Sequence, residues 1–169
     1  MIHALAVTAL FAPLAPSLSA PGRNAPAVPP FDDAAFLKAV ATGARYEARL
    51  SYLVGAQTRS RAVQGLAVRV TVDHMTASSG LEAVATATAI QLPADLDATN
   101  RHQWDRVKGR TDADLDRDFV REIVQRRTAC LVLFTRASQE ARSPAVRALA
   151  VRSLPVIQKH LEMARAIDK

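Results

Sequence analysis

Six residues could do chemistry by virtue of where they fall: Glu47, Asp73, His74, Arg126, Arg127 and His160 each interrupt an otherwise apolar pattern. Carboxylates and imidazoles at such positions are the donor types of metal centres. Imidazole suits zinc, copper, iron and nickel, whereas carboxylates suit harder ions. Two histidines and one carboxylate suffice for zinc or ferrous iron. Glu47, Asp73, His74 and His160 are therefore the candidate metal ligands, with His74, His160 and either Glu47 or Asp73 as a single-ion set. Arg126 and Arg127 act in the opposite sense. A guanidinium keeps its proton in proteins and cannot ligate a metal. It can instead hold Glu47 or Asp73 through parallel hydrogen bonds, standing in for a cation between helices.

Other chemistries find less footing. Ser51, Asp73 and His74 are not spaced as a hydrolase triad, and there is no Gly-x-Ser-x-Gly elbow. No Gly-rich phosphate loop is present. Glu-x-x-His, the repeated unit of di-iron bundles, is also missing. The lone cysteine, Cys130, cannot form an internal disulfide and lies on an apolar stripe as a small core residue.

The elements that must position these residues are helices. From Phe31 the chain falls into four long amphipathic stretches. In the first, over 33–57, Phe36, Val40, Gly43, Glu47, Leu50 and Val54 share one helical face. In the second, over 60–88, Val63, Leu66, Val70, His74, Ala77, Leu81 and Val84 do the same. The connection that follows contains Pro93 and Trp104. It is longer than a tight turn and has room for a short helix. The third stretch, over 112–140 with Thr111 and Asp112 as caps, aligns Leu115, Phe119, Ile123, Cys130, Leu133 and Ala137. The fourth opens with Ser143 and Pro144, a helix start signal. It runs to Ile167 through Val146, Leu149, Ser153, Ile157, His160 and Ala164, with Pro155 inside it as an expected kink.

Helices of about 25 residues are roughly 37 Å long, and four with one apolar face each bury those faces best in an antiparallel four-helix bundle. Aligned in that way, Glu47, His74 and the arginine pair share the middle level, with His160 about a turn beyond. Asp73 and His74 are neighbours about 100° apart around their helix, so both cannot face the axis squarely. The same holds for Arg126 and Arg127; the alternative to charge pairing is that one or both reach solvent.

Composition agrees with an all-α chain: of 169 residues, 49% are hydrophobic and only 5% aromatic, where a sandwich or barrel would use more aromatics. The net charge of +6 comes from scattered arginines such as Arg45, Arg49, Arg59, Arg61 and Arg69, without the aromatic interleaving of nucleic-acid binders. Residues 4–15 form an apolar run of signal-peptide length, too short to span a bilayer. We read 1–20 as a signal peptide, with cleavage falling as late as 27, 21–30 as a Pro-rich leader, and 31–169 as the bundle. Six of the nine prolines lie between Pro13 and Pro30, which excludes a helix there.

The blocks FLKAVATGARYEARLSYL, LAVRVTVDHMTASSGLEAVA, DRDFVREIVQRRTACLVLF and LAVRSLPVIQKHLEMA resemble successive segments of a ferritin-like bacterial envelope family, domain of unknown function 4142. Its members are often labelled outer-membrane proteins. The resemblance covers 31–167. It implies a ferritin-like fold and a periplasmic or outer-membrane-associated location, with Glu47, Asp73, His74 and His160 at matching positions. It departs in the third helix, where the family's usual Asp–His pair is replaced by Arg126–Arg127. The expectation is a structural or interaction module with a degenerate, arginine-substituted metal site and no cofactor. Its partner would be an envelope component, with peripheral outer-membrane association and no nucleic acid. The alternative is one zinc or iron ion on His74, His160 and a carboxylate. Nothing in the sequence requires an enzyme.

Overall fold

The computed structural model describes residues 29–168, apart from the side chain of Asp112. The expected signal peptide and most of the leader lie outside these residues. Among the described residues the structure is all-helical: α1 Asp33–Gln57, α2 Arg61–Ala87, α3 Ala98–Val107, α4 Asp112–Glu140 and α5 Pro144–Ile167. α3 is the short helix for which the long connection left room. No described helix is long and apolar enough to cross a membrane.

Local chemistry sets the helix ends. Asp32 caps α1, its Oδ1 accepting from the Ala34 and Ala35 amides at 2.9 and 3.0 Å. Those amides have no partner within the helix, so Asp32→Ala should cost about 1 kcal/mol in urea unfolding; an unchanged midpoint would show that the cap contributes nothing. Ser60 caps α2 by accepting from the Val63 amide, and Asp97 caps α3 by accepting from the Asn100 amide. Thr111 and Ser143 occupy cap positions without a side-chain cap bond. At Ser143 the amide donates instead to Asp33 at 2.8 Å, and the Arg142 amide donates to the same carboxylate at 3.0 Å. That contact fixes the start of α1 against the α4–α5 turn. At the far end, the Thr58 hydroxyl donates to Asp116 at 2.7 Å, so α1 and α4 run in opposite directions.

The long helices pack as a closed ring, α1 on α2, α2 on α5, α5 on α4 and α4 on α1, with α3 against α1. Pro155 is accommodated on the exposed side of α5, which continues to Ile167. Ala77, expected in the α2 stripe, is exposed, and Phe134 takes a core position more fully than Leu133. Cys130 is a half-buried free thiol, its pKa raised by burial.

The core is divided in two. One apolar cluster contains Tyr46, Leu50, Val70, Ile123 and Ala164; the other contains Leu37, Ala41, Leu81, Phe134 and Ile157. On α2, α4 and α5 a polar residue falls between the two, His74, Arg127 and His160, and on α1 Glu47 follows directly on Tyr46, at the near edge of the first cluster. A single polar layer thus crosses the core where all four helices meet.

Candidate functional site

The layer is built around a buried ion pair. Glu47 and Arg127 are 3% and 5% exposed, and Nη2 of Arg127 contacts Oε2 of Glu47. The same Nη2 lies 2.8 Å from Nε2 of His74, which is itself 3.0 Å from Oε2 of Glu47. A guanidinium nitrogen can only donate. It is therefore the donor in any bond it makes, while Nε2 of His74 also faces the Glu47 carboxylate, toward which a ring nitrogen can only donate, so its role follows the ring's tautomer. Burial lowers the His74 pKa to about 4, with the Asp73 charge working against that shift. Burial also lowers the pKa of Arg127, but a guanidinium pKa starts so high that it stays charged.

Asp73 and His160 form the second half of the layer. Nε2 of His160, a residue 1% exposed, lies 2.8 Å from Oδ2 of Asp73, and Nε of Arg69 donates to the same oxygen at 2.7 Å. A carboxylate accepts, so His160 donates from Nε2. Its pKa falls to about 4, chiefly through burial and then the Arg127 charge, while the hydrogen bond and charge of Asp73 oppose the fall. The two imidazole centroids are 6.5 Å apart. Asp73 and His74 thus serve different neighbours: His74 turns to α1 and α4, Asp73 to α5. Because α2 packs against both α1 and α5, residues 100° apart can both be used.

Arg126 goes elsewhere. Its Nε donates to Glu122 at 2.9 Å, and its Nη2 donates to Asn100 at 2.8 Å and to Gln103. Its guanidinium carbon lies 4.3 Å from the centroid of the Tyr46 ring, a cation–π contact. The Tyr46 hydroxyl donates to Glu122 at 2.9 Å. Burial first, and then Glu122, raises the Tyr46 pKa. This second network fastens α3 to α1 and α4. Tyr46→Phe keeps the ring under Arg126 but removes the hydroxyl from Glu122; it should cost about 1–2 kcal/mol in urea unfolding. Unchanged stability would mean that Glu122 is satisfied by Arg126 alone.

The family described as Domain of unknown function (DUF4142) matches residues 17–167, nearly the whole chain. The chain belongs to that family. No curated protein and no solved structure matches it.

In this DUF4142 chain, the six residues singled out by sequence divide into two places. The structure brings Glu47, Asp73, His74, Arg127 and His160 into one layer, as two hydrogen-bonded groups. It puts Arg126 in the network of Glu122, Asn100, Gln103 and Tyr46 rather than beside Glu47 or Asp73. The Arg127 side chain is 6% exposed and that of Arg126 20%, so neither extends freely into solvent. α3 covers the flank of α4 where Arg126 emerges and supplies acceptors for it. Sequence reasoning missed Tyr46, Glu122 and Asn100. Glu122 and Arg126 stand four residues apart on one helix, a spacing that pairs opposite charges. Among the described residues, no three histidine, cysteine or acidic side chains are grouped to hold one ion.

Proposed function

We propose that this chain is an exported, ferritin-like, antiparallel four-helix bundle whose metal site has been replaced by a charge-paired layer. In this reading the bundle acts as a structural or interaction module of the bacterial envelope, in the periplasm or at the outer-membrane surface. One observation carries the proposal. A buried guanidinium, from Arg127, pairs with a carboxylate on α1 and contacts an imidazole on α2. It joins the groups an ion would bridge, and supplies the positive charge an ion would bring. A second cation beside it would be repelled at close range in a medium that screens poorly.

The alternative, one zinc or iron ion on His74, His160 and Glu47 or Asp73, has one observation on its side. His160 gives one ring nitrogen to a carboxylate while the other has no protein partner, an arrangement common among metal-bound histidines. Metal analysis separates the readings. Protein stripped with chelator and dialysed against zinc or ferrous iron should retain neither at one equivalent and should keep its melting temperature. A stoichiometric ion, lost in His160→Gln, would overturn the charge-paired reading.

A further inference from the structure

α2 has two unlike faces. Val63, Leu66, Val70, Leu81 and Val84 are buried in the bundle. On the opposite side, Gly65, Val68, Val72, Met75 and Ser79 recur at alternating spacings of three and four, and all five are exposed. Val68 is 54% exposed, Val72 52% and Met75 70%. A single exposed valine is ordinary. Three large apolar side chains in line, at the spacing that keeps a seam facing a partner helix, are not.

Charge sets this face apart from the rest of the surface. Between Arg61 and Glu82, the only acidic or basic residues other than His74 are Arg69 and Asp73, and these pair with each other at 2.7 Å. The other long helices expose Arg49 on α1, Arg117 and Arg121 on α4, and Arg152 and Lys159 on α5. The α2 seam is closed at its two ends by opposite charges. Arg61 stands seven residues before Val68 and Glu82 seven after Met75, so both continue the stripe, and both are exposed.

The stripe is complementary to itself when reversed. In an antiparallel pair centred on Val72, each Val72 meets its counterpart, Val68 meets Met75, Gly65 meets Ser79, and Arg61 meets Glu82. Small residues at the outer layers let two backbones approach, and no neighbouring atom lies within 4 Å of where a side chain on Gly65 would begin. Arg69, beside the seam, would face the neutral Thr76 of the other copy. A parallel pair would instead set Arg61 against Arg61 and Glu82 against Glu82, and like charges across an interface repel.

We infer that this face binds a second copy of the chain, α2 against α2 in antiparallel, as a two-fold symmetric dimer. A two-fold interface demands that one patch fit itself in reverse, which is what the order of residues about Val72 provides. The seam lies on the side of α2 away from the bundle core, so the pairing stands or falls independently of the charge-paired layer. A single helix stripe is small beside the about 800 Å² per partner of a standard interface, so the dimer is expected to dissociate in the micromolar range or above.

Sedimentation velocity on the full chain, from about 1 µM to about 1 mM, tests this. The expected result is a species of twice the chain mass that grows with concentration. Val72→Glu puts two like charges on the symmetry axis and should leave monomer alone over the same range. Val72 is exposed, so the helical signal and urea midpoint of that variant should match those of wild type. Arg61→Glu should raise the dissociation constant about tenfold, since two end pairs turn from attraction to repulsion. Arg61→Glu/Glu82→Arg should restore it, a rescue that parallel copies could not show because like would still face like. A wild-type chain that stays monomeric, a dimer that Val72→Glu leaves intact, or a double variant as weak as the single one would each overturn the inference. So would a monomeric chain that binds phosphatidylglycerol vesicles through Val72, which would assign the seam to a lipid surface.

Discussion

Arg127→Ala should unfold in urea with a free energy about 3–5 kcal/mol below that of wild type, the range for removing one partner from a buried ion pair. The loss comes chiefly from what remains behind. Glu47 is 3% exposed and would be left among apolar side chains without a counter-ion, forced either to stay charged or to take up a proton, and His74 would lose its contact with the guanidinium. A small domain has only about 5–15 kcal/mol in total, so this single residue would account for a large share of it. Two further variants keep the result interpretable. Arg127→Lys preserves the charge but not the two directed hydrogen bonds, and should fall between wild type and the alanine variant. The double variant Glu47→Leu/Arg127→Met removes both charges together, and should recover most of the loss. A change below about 0.5 kcal/mol in Arg127→Ala would place this residue among ordinary surface positions and remove the basis for the pairing proposal. The same measurement on Arg126→Ala should give a smaller loss. Its partner Glu122 keeps the Tyr46 hydroxyl, and its other partners, Asn100 and Gln103, are neutral.

How much of this could be read from the sequence depends on what kind of signal each feature leaves. The long helices were legible almost to the residue, because their apolar positions repeat over many turns and are bounded by Asp32, Ser60 and Ser143–Pro144. The polar layer was legible as well, since a charged residue on an apolar stripe must be satisfied by something on a facing helix. What the stripe could not show was which facing residue that is. His74 and Asp73 looked like competitors for one axis, but α2 has two packed neighbours and uses both directions. Arg126 and Arg127 looked like alternatives for the same reason. The fate of Arg126 depends on α3, a helix of ten residues anchored in the core only by Val107 and Trp104 and otherwise held by polar contacts. Such an element leaves no long-range apolar rhythm to read. Tyr46 was hidden by its neighbour: beside Glu47 it looks like a flanking residue, yet it is fully buried, because α1 packs on α2, α3 and α4 at once.

Stability should also fall as the pH is lowered from about 6.5 towards about 4, before general carboxylate protonation takes over. In the folded chain both His74 and His160 are held neutral down to about 4, against an ordinary value of 6.5. Between those limits the unfolded chain binds protons that the folded chain refuses, so acid favours unfolding. The stabilisation is fully present above the unfolded value and is lost as the pH approaches the folded one. A depression of that size corresponds to roughly 3 kcal/mol per histidine. The sum for two would be an upper bound, because Asp73 and Glu47 lie beside the rings and would partly offset their protonation. Arg127 and Arg69 face the same layer and remain charged throughout. Urea unfolding at pH 7 and again near pH 5 reads the effect directly. His160→Gln cannot titrate but can still donate to Asp73 through its amide, so it should flatten part of the pH dependence while retaining much of the neutral-pH stability. Equal stabilities for the wild-type chain at the two pH values would mean that the layer admits protonated imidazole without loss. Burial would then not be what holds the two rings neutral.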